Sequence, residues 1–232
     1  MAPKKIIITG ASSGIGRAIA LEMAKDGHEF FLVGRDKVRL NQVKVDVEKL
    51  GGSAHIGQGD VGNPDDVDRL FKFVEDNMIS VDVLVANAGV GHFGNLEELT
   101  VEQYNEQFNT NVRGVFLWLR KVLPFLRKQN SGQIIVMSSN LGLHTSARAS
   151  IYAATKHAVQ AMVWSLREEL RGTNIKAATI NPGSVSTPWF DGRDVDRSKM
   201  LTAEDIARAA RLIIDQSETS NIDHILLLPG RR

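Results

Sequence analysis

Three stretches of this chain, Ile6-Ile7-Ile8, Ile134-Ile135-Val136-Met137 and Ile225-Leu226-Leu227-Leu228, are apolar at every position. A strand with one wet face alternates apolar and polar residues, so an uninterrupted run needs cover on both faces. Strand candidates lie at 5–9, 29–33, 54–58, 82–86, 133–138, 176–180 and 224–228. Between them lie helix candidates at 14–26, 37–50, 64–77, 101–128, 150–171 and 203–216. Asn63-Pro64, Thr100, and Thr202 followed by Glu204 and Asp205 are helix starts, and Gly27 and Gly51-Gly52 are stops. Strand–helix alternation with right-handed crossovers predicts an α/β fold: a doubly wound sheet of about seven parallel strands with helices on both faces. No repeat, low-complexity tract or linker divides it, so residues 1–232 are expected to form one domain. Residues 182–200 are the least regular segment, either a substrate loop or a disordered surface excursion.

Composition narrows the function classes. The chain has 232 residues, 43% hydrophobic and 24% charged, as in an ordinary soluble protein. A formal net charge of +1 supplies no drive toward nucleic acid or an anionic membrane, so neither is expected as a partner. There are no cysteines, which excludes a disulfide framework, a thiolate nucleophile and a cysteine metal site. The six histidines show no ligand spacing, and no metal is expected. The apolar run after Met1-Ala2-Pro3-Lys4-Lys5 is too short for a signal peptide or membrane span, which makes the cytoplasm the expected compartment.

Directly after the first strand comes Thr9-Gly10-Ala11-Ser12-Ser13-Gly14-Ile15-Gly16. A tight turn needs residues without a Cβ, and a close-packed pyrophosphate needs bare backbone N–H groups at a helix N-terminus. Strand, glycine turn and helix in that order form a nucleotide loop, with Gly10, Ser12, Ser13, Gly14, Ile15 and Gly16 as its residues. Far downstream, Tyr152 and Lys156 share a helix face four residues apart, and Ser139 lies thirteen residues before the tyrosine. Tyrosine titrates near pH 10, and a nearby ammonium favours its phenolate. The other tyrosine, Tyr104, has Phe108 four residues on and Gly91 thirteen before, so the pattern is not a by-product of abundant tyrosine.

These motifs, with Asp60-Val61, Asn87-Ala88-Gly89, Asn111 and Pro182-Gly183-x-Val185-x-Thr187, resemble the short-chain dehydrogenase/reductase family along nearly the whole chain. One departure is Ala86, where that family usually has an asparagine. The resemblance implies a Rossmann-like fold and an NAD(P)-dependent oxidoreductase interconverting a carbonyl and an alcohol by hydride transfer. It implies that Tyr152 is the general acid/base, that Ser139 holds the substrate oxygen, and that Lys156 lowers the tyrosine pKa and reaches the nicotinamide ribose. By the same resemblance Asn111 would hold a water linking Lys156 to solvent, although an asparagine within a helix is by itself more often a surface residue. Asp60 would face the adenine with the Val61 backbone, and Asn87 would lie near the adenosine ribose beside Ala88 and Gly89. Val185 and Thr187, after Pro182 and Gly183, would approach the nicotinamide amide and pyrophosphate. Ser138 is the rival to Ser139, and the spacing to Tyr152 favours Ser139.

Cofactor choice turns on Leu32-Val33-Gly34-Arg35-Asp36 at the end of the second strand. An acidic residue there accepts the 2′-hydroxyl of NAD, whereas Arg35 offers a planar fork to a 2′-phosphate. NADP(H) is therefore expected over NAD(H), and a one-residue shift of the strand end would bring Asp36 to the ribose instead. His92, His144, Leu141, Leu143, Phe93, Trp189 and Phe190 are candidates to line the substrate cleft, and for each ordinary packing is the simpler explanation. The segment after Pro182 resembles relatives acting on small hydroxy acids or broad carbonyl substrates. An NAD(P)-binding sensor with little turnover is the alternative, and an epimerase or lyase is disfavoured by the short chain. A homotetramer or homodimer is expected from the resemblance, through helices 101–128 and 150–171 and the C-terminal region. The apolar positions Val112, Val115, Phe116, Leu119 and Leu123 fit that burial or a monomer's core.

Overall fold

The computed structural model describes residues 2–78 and 80–230. Its strands are β1 (Lys5–Thr9), β2 (Glu29–Gly34), β3 (Ser53–Gln58), β4 (Val83–Ala86), β5 (Gly132–Met137), β6 (Ile175–Pro182), β7 (Val185–Ser186), β8 (Leu201–Thr202) and β9 (His224–Leu227). Its helices are α1 (Gly14–Ala24), α2 (Lys37–Lys49), α3 (Pro64–Asn77), α4 (Val101–Phe108), α5 (Gly114–Gln129), α6 (Ser150–Glu169) and α7 (Ala203–Ile214). Seven strands form one parallel sheet in the order β3-β2-β1-β4-β5-β6-β9, and β7 pairs with β8 apart from it.

The apolar runs now have a physical account. Ile6 and Ile8 enter the core formed with α1, α2 and α7 through Ile19, Met23, Leu40, Val43, Ile206 and Ile213. Ile7, between them, enters the opposite core with α3, α5 and α6 through Phe71, Trp118, Val159 and Val163. Strand β5 repeats the pattern, with Ile135 and Met137 on the first side and Ile134 and Val136 on the second. Each fully buried aliphatic chain contributes about 1.5–3 kcal/mol, so polar residues at alternate positions would cost both cores. Chain order reverses between β1 and β4, which leaves a crevice beyond their carboxyl ends.

The structure departs from the sequence expectation in two places and, at residues 182–200, favours one of two alternatives. The expected helix at 101–128 is divided: α4 ends at Phe108, a π-helical turn spans Asn109–Arg113, and α5 follows. Side-chain bonds from Asn111 to Val90 across the chain draw that turn out of α-helical register. The run Ile225-Leu226-Leu227-Leu228 is not covered on both faces, because β9 is the sheet edge and Leu226 and Leu228 remain 40% and 44% exposed. Residues 182–200 are more ordered than an irregular excursion. Val185 and Ser186 pair with Leu201 and Thr202, pinning the two ends of the loop together. Among the described residues no helix is long and apolar enough to cross a membrane.

Candidate active site

A cleft of about 660 Å³ opens at the carboxyl ends of the strands. Its floor is the turn between β1 and α1. Gly10 and Gly14 have φ of +66° and +53°, a left-handed backbone that glycine adopts without strain. Gly16 is fixed by crowding instead: a Cβ there would lie 2.7 Å from Asn87 Nδ2 and closer still to the Gly10 carbonyl. Asn87 fastens the turn to β4, its Nδ2 donating to the Thr9 and Gly10 carbonyls at 3.0 and 3.2 Å. Thr9 Oγ1 accepts from the backbone N–H groups of Asn87 and Ala88 at 3.0 and 3.1 Å. Helix α1 then begins without a side-chain cap on Ser13, whereas Asp36, Asn63, Thr100 and Thr202 cap α2, α3, α4 and α7. Its first N–H groups and the positive end of its dipole therefore face the cleft unpartnered by side chains, an arrangement that fits a pyrophosphate.

Gly10, Ser12, Ser13, Gly14 and Ile15 all line the cleft, as do Asn87, Ala88 and Gly89. Asp60 and Val61 line it at the end of β3, where Asp60 Oδ1 accepts from the Gly62 N–H at 2.8 Å. Pro182, Gly183, Val185 and Thr187 form the wall beyond β6, with Thr187 in van der Waals reach of Gly14. Gly16 is buried behind the turn and lines nothing. Asn87 has its amide committed to the turn, so its place in the structure is that of a clasp.

Ser139, Tyr152 and Lys156 converge on the same cleft. Ser138-Ser139 follow strand β5 directly, and Ser139 caps a short 3-10 turn by accepting from the Leu141 N–H at 3.1 Å. Gly142 lets that turn press on α6, since a Cβ there would meet Ser138 Oγ at 2.5 Å and the Lys156 carbonyl at 2.9 Å. Ser138 is spent on this packing, donating to the Lys156 carbonyl at 3.3 Å. The Ser139 hydroxyl donates to Asn140 Oδ1 at 3.1 Å and lines the cleft with the Tyr152 phenol. Lys156 Nζ lies 5.6 Å from the Tyr152 ring centroid and donates to the Met137 carbonyl at 2.9 Å.

The electrostatics differ from the sequence expectation. Burial pushes the Tyr152 phenol up to about 12, with the Ser139 hydroxyl pulling the other way. Burial also brings the Lys156 ammonium down to about 8. Desolvation is the larger cause at Tyr152 and keeps the phenol a proton donor at neutral pH.

Asn111 is not on the surface. It is 1% exposed, and its side chain donates to the Val90 carbonyl at 2.8 Å and to Thr155 Oγ1 at 3.0 Å while accepting from the Val90 N–H at 2.8 Å. Asn111 Oδ1 and Lys156 Nζ lie 3.4 and 3.7 Å from where a Gly89 Cβ would stand, so both groups approach the same glycine. Asn111 itself does not line the cleft. Its burial was invisible in the sequence because its partners, Val90 and Thr155, are remote along the chain.

At the end of β2, Arg35 and Asp36 line the cleft together with Arg39, which the sequence reading missed. Asp36 caps α2 by accepting from the Arg39 N–H at 3.0 Å, and its carboxylate pairs with Arg39 Nε at 3.2 Å. Arg35 is exposed, its only ion-pair contact among the described residues being Glu106 at 3.9 Å. Arg39 lies one helical turn beyond Arg35, a spacing from which it was findable.

The opposite end of the cleft is aromatic. Phe93 and Trp189 pack on the Tyr152 ring with centroids 5.1 and 5.9 Å away. Gly91 admits Trp189, since a Cβ there would lie 2.5 Å from the indole. Leu141 and Phe190 also line the cleft, whereas Leu143, His92 and His144 do not. His92 is instead turned to Glu106, with Nε2 2.7 Å from the carboxylate.

Comparison with known proteins agrees with this geometry. The family pattern described as short chain dehydrogenase matches residues 4–197. An uncharacterised oxidoreductase of Staphylococcus epidermidis is 34% identical over 226 residues, covering 97% of each chain. An alcohol dehydrogenase from the archaeon Thermococcus sibiricus, solved with 5-hydroxy-NADP, superposes with a TM-score of 0.92 at 29% identity, covering 99% of this chain and 97% of the other. A metagenomic short-chain oxidoreductase solved with NADP gives 0.87 at 28% identity, covering 99% and 98%. With the doubly wound sheet, the glycine turn and the Ser–Tyr–Lys cluster in place, the chain belongs to the short-chain dehydrogenases, oxidoreductases that act on CH–OH groups.

Proposed function

We propose that this chain is a one-domain NADP(H)-dependent oxidoreductase that interconverts a carbonyl and an alcohol, with Tyr152 as its acid and base. The observation that carries the reading is the convergence of Ser139, Tyr152 and Lys156 on the cleft that the glycine turn floors. The residues fit a dinucleotide: the crowded glycines leave room for phosphates only as bare backbone, and the uncapped start of α1 offers N–H donors. NADPH, when bound there, supplies a hydride to the carbonyl carbon. Tyr152, held protonated by burial, donates its proton to the carbonyl oxygen, and Ser139 hydrogen-bonds the same oxygen and orients it. Lys156 stands on the Tyr152 ring and supplies the positive charge that compensates the phenolate left behind. In alcohol oxidation the phenolate takes the proton instead.

The cofactor preference rests on the end of β2. Asp36 is occupied as a helix cap and by Arg39, so it is a poor acceptor for a ribose hydroxyl. Arg35 and Arg39 both line the cleft beside Gly34 and suit a 2′-phosphate. The NADP-bound states of the two structural relatives support this reading. The half-exposed Phe116 on α5 and Trp164 on α6, with Leu212, Leu226 and Leu228 toward the C-terminus, support a homodimer or homotetramer. Val115 and Leu119 belong to the inner core and do not. The absence of cysteine suits the cytoplasm. Titration with NADPH and NADH, followed by nicotinamide fluorescence, tests the cofactor claim. Tight NADPH with weak NADH is the expected result, and NADH binding as tight as NADPH overturns it.

A further inference from the structure

The loop between β7 and β8 carries an exposed cation, Arg193, that has no ion-pair partner among the described residues. It holds Asp191, Asp194 and Asp196 with Arg193, Arg197 and Lys199. Arg197 pairs with Asp191 at 2.7 Å, and Lys199 pairs with Asp196 at 3.5 Å. Among the described residues no carboxylate lies within ion-pair distance of Arg193, not even that of its neighbour Asp194. Arg193 is placed by aromatic rings instead, its Cζ lying 5.5 Å from the Phe93 centroid and 5.7 Å from that of Phe190. A guanidinium stacked on ring faces keeps its in-plane N–H donors free for a planar acceptor.

That cation belongs to the substrate end of the cleft. Arg193 lines the cleft with Tyr152, and the Phe93 ring that carries the guanidinium also packs on the phenol at 5.1 Å. The acidic residues lining the cleft, Asp36 and Asp60, sit at the ends of β2 and β3 with the glycine turn. An uncharged ketone would meet only Phe93, Trp189 and Phe190 there, and the exposed guanidinium would keep water as its only partner. We propose that Arg193 binds a substrate carboxylate, which makes the substrate class oxo acids and the matching hydroxy acids, with the carbonyl at Tyr152 and the carboxylate at Arg193. This rests on the carbonyl–alcohol reading above. Hydride and proton add across the C=O bond, NADPH is oxidised, and the carboxylate is unchanged.

The test separates binding from turnover. Calorimetry on the Tyr152→Phe protein saturated with NADP+ compares acetoacetate with ethyl acetoacetate and pyruvate with ethyl pyruvate. For at least one pair the acid is expected to bind about tenfold tighter than its ester, the usual worth of a charge-assisted hydrogen bond. Arg193→Gln is expected to erase that preference, and Arg193→Lys to keep part of it, with NADP+ affinity unchanged in both. Esters that match their acids, or no measurable binding of either acid, overturn the proposal. So does an Arg193→Gln loss as large for NADP+ as for the acid, which would assign the guanidinium to the cofactor phosphates. Turnover is measured separately on the native protein: if no carbonyl is reduced, the redox reading fails while the acid–ester comparison still decides the role of Arg193.

Discussion

The two ends of the cleft are built on different principles. At the nucleotide end, Thr9, Gly10, Gly16 and Asn87 are so close that a single added carbon has nowhere to go. The shape there is made by backbone, and short local spacings dictate it. At the substrate end, Phe93, Trp189, Phe190 and Arg193 come from loops nearly a hundred residues apart and meet by stacking. Side-chain stacking tolerates exchange of partners, so a sequence records it only as composition. The first end can serve one ligand skeleton for any member of such a family, and the second can change with the substrate.

Glycine substitutions break this comparison most sharply. Gly16→Ala is expected to destabilise the fold by about 3 kcal/mol and to abolish nucleotide binding, because neither the Gly10 carbonyl nor Asn87 can yield. Gly192→Ala, at φ +76° with nothing near its Cβ, is expected to cost only about 1 kcal/mol of backbone strain and to leave NADPH binding intact. Denaturant unfolding measures both. Equal losses would mean that the loop is as tightly determined as the glycine turn.

Lys156 stands at the seam between the two ends. Its folded pKa of about 8 lies below the ordinary lysine value, so burying the charged form costs stability fully below pH 8. Between pH 8 and the ordinary value the unfolded chain binds more protons, and stability rises with pH. Lys156→Met is therefore expected to gain about 2 kcal/mol at pH 7 after the lost bond to the Met137 carbonyl is counted. That gain should shrink as the pH rises past 8, while activity disappears. A gain independent of pH, read from unfolding midpoints across that range, would contradict the buried ammonium.

Smaller effects belong to the exposed arginines. Arg35→Ala is expected to weaken NADPH by about tenfold and NADH by less than about twofold; equal losses would separate Arg35 from the 2′-phosphate. Glu106 lies 3.9 Å from Arg35 and, on the proposed reading, would compete with that phosphate. Glu106→Gln should tighten NADPH by about two- to fivefold at low salt, with the gain fading as salt rises. No change at any salt would mean that the pair is too exposed to matter.

How much of this was legible in the sequence follows the same division. The sheet was legible because Ile6-Ile7-Ile8 must be buried on both faces. The glycine turn was legible from its place between strand and helix and Tyr152–Lys156 from its helix spacing, whereas Ser139 was named through the family resemblance. The continuous helix around Asn111 misled, because only the distant Val90 and Thr155 explain the π-turn that buries it, and Asn111 itself was named through the resemblance. The edge strand misled because an apolar run does not say which strand lacks a neighbour. The depth at which Tyr152 is buried was not legible, because it depends on side chains such as Phe93 and Trp189 that are distant along the chain.

The central claim is that this cleft reduces carbonyls with Tyr152 as the proton donor, and NADPH oxidation over a panel of aldehydes, ketones and oxo acids tests it most directly. The native protein is expected to oxidise NADPH with at least one compound, and Tyr152→Phe to lose about 10³-fold of that rate while binding NADPH as before. A Tyr152→Phe protein that turns over as fast as the native one would contradict the account.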